Sequence, residues 1–212
     1  VLSGLRAAQF SPPRVIRSHW RVPRQRASIY RVTPLTPPLR TPRLELVPLT
    51  LKVVECVVRG EREEAERLVR ARMPARWPNR ELVERAFPVS LEAIRAEPEL
   101  RLWGDRVMIA QGDDGERRVI GSVVFHGAPG PDGVAEIAYG VEEASQGRGY
   151  ATEAVSASVA WALEHAEVAA VQATTFAWHR ASLRVIAKVG MVRAGVRDHE
   201  TLGELLVFER RR

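Results

Sequence analysis

Cysteine is almost absent: Cys56 is the only one in 212 residues, which excludes an intramolecular disulfide and any zinc site built on several cysteines. It sits in the apolar stretch Val53-Val54-Glu55-Cys56-Val57-Val58 with no activating neighbour. There it is expected to pack as a small hydrophobe rather than serve as a catalytic thiol. Long apolar runs are also missing. Even this stretch is interrupted by Glu55 and followed by Arg59, well short of the roughly 18 to 20 residues a membrane-spanning helix needs. Lysine is reduced to Lys52 and Lys188, so arginine carries nearly all the positive charge. Acidic residues are missing from the first 44 positions, where nine arginines precede Glu45. Removing that +9 from the net +6 leaves −3 for residues 45–212. The high pI thus belongs to the front segment, and composition gives the rest no argument for a nucleic-acid surface.

What is present begins with an arginine- and proline-rich extension over residues 1–42. Pro12, Pro13, Pro23, Pro34, Pro37, Pro38 and Pro42 interrupt every helical window, and no strand period persists. A flexible extension fits better than a transit peptide, whose amphipathic helix these prolines would spoil. Its apolar residues, Phe10, Ile16, Trp20, Ile29 and Tyr30, can still dock on a groove or a neighbouring subunit, which keeps a homodimer among the expected states.

From residue 43 the patterns become regular, and 43–212 is expected to form one domain. A short strand is expected at 43–47, a helix over 51–59 capped by Thr50, a second helix at 61–73 and a third segment at 89–96. Strands at 106–110 and 119–126 flank the turn Gly112-Asp113-Asp114-Gly115, and a further strand is expected at 134–141. A helix at 150–165, a strand at 171–177, a helix at 181–189 closed by Gly190, and strands at 191–196 and 204–209 complete the chain. Antiparallel strands followed by a strand–helix–strand unit make an α+β domain.

The chemistry is concentrated where Glu136-Ile137-Ala138-Tyr139-Gly140-Val141 leads to Gln146-Gly147-Arg148-Gly149-Tyr150-Ala151 and then to a helix. A glycine-rich turn between strand and helix points several backbone N–H groups outward, and the helix dipole adds to them, which suits a pyrophosphate. The Walker pattern fails because no Gly-Lys-Ser/Thr follows. The dinucleotide fingerprint fails because Thr152 stands where glycine is needed and no early βαβ unit is present.

Gln146-x-x-Gly149-x-Ala151 resembles the Q/R-x-x-G-x-G/A signature of the GNAT acetyltransferases. Residues 173–191 resemble that family's segment A-x-T-x-x-x-N-x-x-S-x-R-V-x-x-K-x-G-F, and Thr41-Pro42-Arg43-Leu44-Glu45-Leu46 resembles the opening strand of its ribosomal-protein N-terminal acetyltransferase branch. The resemblance covers about residues 41–212, loosely over 51–105 and closely over 117–191. It implies a single α+β domain of GNAT type, with a mixed, mostly antiparallel twisted sheet and helices on both faces. It implies acetyl-CoA as donor, a primary amine as acceptor, direct transfer in a ternary complex and no metal. The CoA contacts it carries over fall on Ile137, Ala138, Tyr139, Gln146, Gly147, Arg148, Gly149, Tyr150, Ala151, His179 and Ser182. Two positions depart from the pattern: His179 replaces the usual Asn, and Ile186 stands where a general-acid tyrosine is frequent.

Aminolysis of a thioester needs a neutral amine, a stabilised oxyanion and a proton for the leaving thiolate. Glu136 is the candidate base, against the plainer reading of a solvated carboxylate at a strand end. Ser182 is the candidate proton donor, against a helix-start serine satisfying backbone donors. His179 can act as acid, base or polar contact. His126 is expected on a strand rim beside Ile120, Ser122 and Val124, and Trp77, Trp103, Trp161 and Trp178 as core or pocket lining. A non-catalytic acyl-CoA sensor, and a nucleic-acid binder working through the arginine extension, remain the rival classes. A reducing cytoplasm is the expected location, with no membrane partner.

Overall fold

In the computed structural model of the chain, residues 37–74, 91–112, 114–199 and 203–212 are described. The expected extension up to residue 36, Trp77, and the start of the helix expected from residue 89 lie outside them.

Leu39–Arg40 forms β1 and pairs antiparallel with β2, Leu44–Pro48, although the sequence reading assigned residues 39–42 to the extension. Thr50 caps α1, Leu51–Arg59, by accepting from the Val53 N–H at 3.3 Å, and Gly60 at φ 74° ends it. Helix α2, Arg62–Val69, stops well before residue 73 because Arg70 turns left-handed and the chain leaves the helix. Arg72 then bridges the next strand region, its N–H donating to Arg117 and its carbonyl accepting from Val119, each at 2.8 Å. This lays Met73 against the core, a gain that outweighs further helix. After α3, Leu91–Ala96, a short α4, Pro98–Arg101, was not expected from the pattern; Pro98 sits in its first turn.

The remaining elements are β3 (Arg106–Gln111), β4 (Arg117–Phe125), β5 (Val134–Val141), a 3-10 turn (Glu143–Ser145), α5 (Tyr150–Leu163), β6 (Ala170–Phe176), α6 (Arg180–Val189), β7 (Val192–His199) and β8 (Gly203–Arg211). The strands form one sheet in the order β1-β2-β3-β4-β5-β6-β8-β7. Every neighbouring pair is antiparallel except β5 and β6. Helices cover both faces: α1 and α2 pack on Val107, Ile109 and Val119, while α5 and α6 pack on Met108, Phe125, Ile137 and Ala173.

A bulge explains one departure from simple alternation. Pairing jumps from Met108↔Gly121 to Ile109↔Val119, leaving Ile120 as the extra residue on β4. Ile120 therefore packs with Val123 and Phe125 in the α5-side core, not on the face expected for His126 and Val124. Close approach of β4 to β5 also fixes Gly121, where a Cβ would sit 2.1 Å from the Gly140 carbonyl oxygen. Cys56 is buried, and that burial pushes its thiol up from the usual range. Among the described residues no helix is long and apolar enough to cross a membrane.

Candidate active site

The turn between β5 and α5 is held open by its own backbone. Gly147 at φ 76° and Gly149 at φ 83° adopt left-handed conformations that side chains disfavour. The N–H groups of Gly147, Arg148 and Gly149 donate to no acceptor among the described residues. Gly149 occupies the cap position of α5 without a capping side chain, so the first-turn donors of a 14-residue helix also stay bare. Gln146 anchors the turn, donating through Nε2 to the Val141 carbonyl at 2.9 Å. Ser145 and the Ala144 N–H both bond the Glu142 carboxylate, which fixes the preceding 3-10 turn. Residues 147–151 thus gather bare N–H donors at a positive helix end, which is the chemistry a diphosphate requires.

Beside the turn the sheet opens. β5 and β6 pair only over Val134↔Ala170, Ala135↔Val171 and Glu136↔Gln172, although both strands run on to Val141 and Phe176. Beyond the last pair, the β6-facing edge of β5 is unpaired, leaving backbone donors at the mouth of a V. Ile137 itself is buried in the core, so a ligand in the V meets its backbone rather than its side chain.

Glu136 sits at the apex of that V. Its Oε1 accepts from Thr174 Oγ1 at 3.1 Å and its Oε2 from Arg197 Nη1 at 3.2 Å. His126 lies opposite, just past the end of β4, donating its backbone N–H to the Glu136 carbonyl at 2.9 Å. The imidazole Nδ1 is 3.9 Å from Glu136 Oε2. Arg197 also bonds Gln172, so a polar row of Glu136, Gln172 and Arg197 crosses this face of the sheet. Glu136 is therefore neither a lone solvated carboxylate nor buried without partners.

Ser182 does not satisfy backbone donors at the helix start. It is buried on α6, with its Oγ 3.0 Å from the Tyr139 hydroxyl, which also donates to the Ser182 carbonyl at 3.3 Å. Burial raises the Tyr139 phenol above its usual range, against the opposing pull of the Ser182 bond. Ile186, the position where the resemblance expects a tyrosine, lies in the core. His179 caps the start of α6 without a side-chain cap bond, is exposed, and approaches Thr175 Oγ1 at 3.4 Å. Of the three residues named for catalysis, Glu136 and Ser182 flank the V through β5 and α6. His179 stays at its outer rim.

Trp103 and Trp161 pack with Phe125 and His165 against the core, one of the two placements expected of them. Trp178 does not: it is 69% exposed and stacks on Phe176 at 5.1 Å, because it follows the end of β6, beyond the core.

The residues that the sequence reading missed are Arg43 and Glu153. Glu153 Oε1 accepts from Thr41 Oγ1 at 2.6 Å and from the Arg43 N–H at 2.9 Å, and its Oε2 accepts from Arg43 Nε at 2.7 Å. The only available signal was the Thr41–Leu46 motif itself, which said nothing of its partner.

The acetyltransferase (GNAT) domain family matches residues 43–192 of the chain. Sequence comparison with curated proteins finds no match. Similar solved structures include a GNAT-family acetyltransferase from Bacillus anthracis, 18% identical, with a TM-score of 0.55 over 82% of this chain and 98% of that one. The ribosomal-protein-S5-alanine acetyltransferase of Vibrio fischeri is 14% identical, with a TM-score of 0.55 over 82% and 96% of the two chains. RimJ of Mycobacterium smegmatis, in complex with CoA disulfide, is 20% identical, with a TM-score of 0.53 over 82% and 85%. At these identities the three share the fold with this chain.

Proposed function

The chain belongs to the GNAT acetyltransferase family and is an acetyl-CoA-dependent N-acetyltransferase; from that premise we propose that it transfers acetyl directly to a primary amine in the V between β5 and β6. The acceptor is a protein N-terminal α-amine, which the ribosomal-type motifs of the sequence suggest, or a small-molecule amine, with which the fold is equally compatible. The observation that carries this reading is the bare-donor turn at 147–151 at the far end of the strand whose Glu136 carboxylate is held at the apex of the V.

In this reading the N–H groups of Gly147, Arg148 and Gly149 hold the diphosphate. The unpaired edge of β5 directs backbone donors at the thioester carbonyl, where charge develops as the amine attacks. Glu136 takes a proton from the acceptor through water, and His126 beside it offers a route to solvent. As the N–C bond forms and the C–S bond breaks, the Ser182–Tyr139 hydroxyl pair supplies a proton to the sulfur. His179 contributes a polar contact at the rim. The proposed location is the cytoplasm, where acetyl-CoA and amines are both at hand.

Thiol release from acetyl-CoA across peptide N-termini, polyamines and small amines tests the reaction. A panel with full CoA binding and no turnover is the result expected of a non-catalytic sensor and would overturn the proposal. Gly149→Val should abolish CoA binding in a folded protein, because a Cβ at φ 83° is strained and would lie 3.4 Å from Arg43 Nη2. Glu136→Gln should lower kcat about a hundredfold with CoA affinity retained.

A further inference from the structure

The opening motif Thr41-Pro42-Arg43-Leu44 has no part in the chemistry above, yet it holds the diphosphate turn from outside. Arg43 meets Glu153 Oε2 through Nε, a hydrogen bond of 2.7 Å, and through Nη2, an ion-pair contact of 2.6 Å. Its third arm, Nη1, donates to the Arg148 carbonyl at 2.8 Å. Its guanidinium also lies 4.7 Å over the Tyr150 ring, the first residue of α5. Thr41 Oγ1 completes the arrangement by donating to Glu153 and accepting from the Leu44 N–H at 3.0 Å.

The geometry of one peptide unit shows what this does. The Arg148 carbonyl and the Gly149 N–H belong to the same planar trans peptide and point in opposite directions. Holding the carbonyl back toward Arg43 therefore aims the Gly149 N–H outward, where the turn needs its donor. A Cβ at Gly149 would only touch Nη2, at 3.4 Å, so the glycine answers to the positive φ of 83° that this peptide orientation imposes. The charge of Arg43 is already matched by Glu153, so its effect is on geometry rather than on the phosphates directly.

We propose that Arg43 and Glu153 are positioning residues for the donor's diphosphate, locking the 148–149 peptide in its binding orientation. This rests on the reading of residues 146–151 as the CoA turn. Calorimetric titration of the full chain with CoA, and with acetylpantetheine, which lacks the diphosphate, tests it in wild type, Arg43→Gln and Glu153→Gln.

Both variants should weaken CoA about tenfold, the loss of one charge-assisted hydrogen bond, and leave acetylpantetheine unchanged. KM for acetyl-CoA should rise while kcat at saturation holds. Glu153→Gln separates positioning from direct charge contact, because it frees the Arg43 guanidinium. Tighter or unchanged CoA binding in that variant overturns the proposal, as does an equal loss for both ligands. Arg43→Lys keeps the charge but not the three-armed geometry, so it should fall between wild type and Arg43→Gln even if the latter folds poorly. A wild type that binds no CoA overturns the reading of the turn and this inference together; wild-type binding with unaltered variants overturns this inference alone.

Discussion

Tyr139 and Ser182 share a hydroxyl–hydroxyl bond of 3.0 Å across β5 and α6, so either can be the immediate proton donor and the other its reservoir. Burial raises the phenol, which keeps the proton on the pair over the neutral range. If the two act as a unit, Tyr139→Phe and Ser182→Ala should each lower kcat by about a hundredfold. The double variant should then be no slower than the worse single one. Additive losses, measured as kcat at saturating acetyl-CoA, would separate the two roles. Residue-scale features of this kind divide by range. The turn at 146–151 was legible in sequence because positive φ and close approach are local demands that glycine alone meets cheaply. The Tyr139–Ser182 pair, 43 residues apart, and the Arg43–Glu153 pair, 110 apart, are made by tertiary packing. For Ser182 a capping role was as plausible in one dimension as the bond it actually forms.

At the scale of elements, the clearest sequence signals were those with punctuation at both ends. Thr50 and Gly60 bracket α1, and the expected range of 51–59 matches the structure. Thr50→Ala should cost about 1 kcal/mol in denaturant unfolding by exposing the Val53 donor; a loss near zero would mean the cap bond does not contribute. Strand β5, preceded by the turn at Gly133 and followed by the 3-10 turn, likewise matches 134–141. Helix α2 failed for want of such punctuation: its charged pattern continues past Val69, but Arg72 gains a strand bridge and Met73 a core position that no local propensity reveals. The two-residue β1 exists only as a partner of β2, and alternation alone cannot announce a strand that short. The extra residue at Ile120 also has no sequence signature, since any apolar residue can occupy either side of a bulge.

Across the whole molecule, two adjacent buried ionisable groups, Asp105 and Arg106, couple folding to pH. Asp105 accepts from the Phe125 N–H at 2.6 Å, and burial drives its carboxyl well above the ordinary value of 3.8. Neighbouring Arg106 donates to the Gly104 carbonyl at 2.7 Å and lies 4.0 Å over Trp161, while burial takes its guanidinium down to about 10. Among the described residues its Nε and Nη2 have no hydrogen-bond partner. Because the folded Asp105 value is raised, its stabilising contribution is full below 3.8 and is lost as pH rises through the folded value. Asp105→Asn keeps an acceptor for Phe125 without the buried charge. It should flatten this fall, so that its Tm at neutral pH equals or exceeds that of wild type; a steeper fall on melting across pH would contradict the sign. The seam of three register pairs between β5 and β6 has a different whole-molecule consequence. The strands β1 to β5 and the trio β6, β8 and β7 share an apolar layer beneath them but little backbone bonding between them. Their amides can therefore open on separate clocks, each half breathing while the other stays closed. Whatever fills the V ties the halves like a cross-member, so occupancy of the site and slow amide exchange at its rims become one equilibrium.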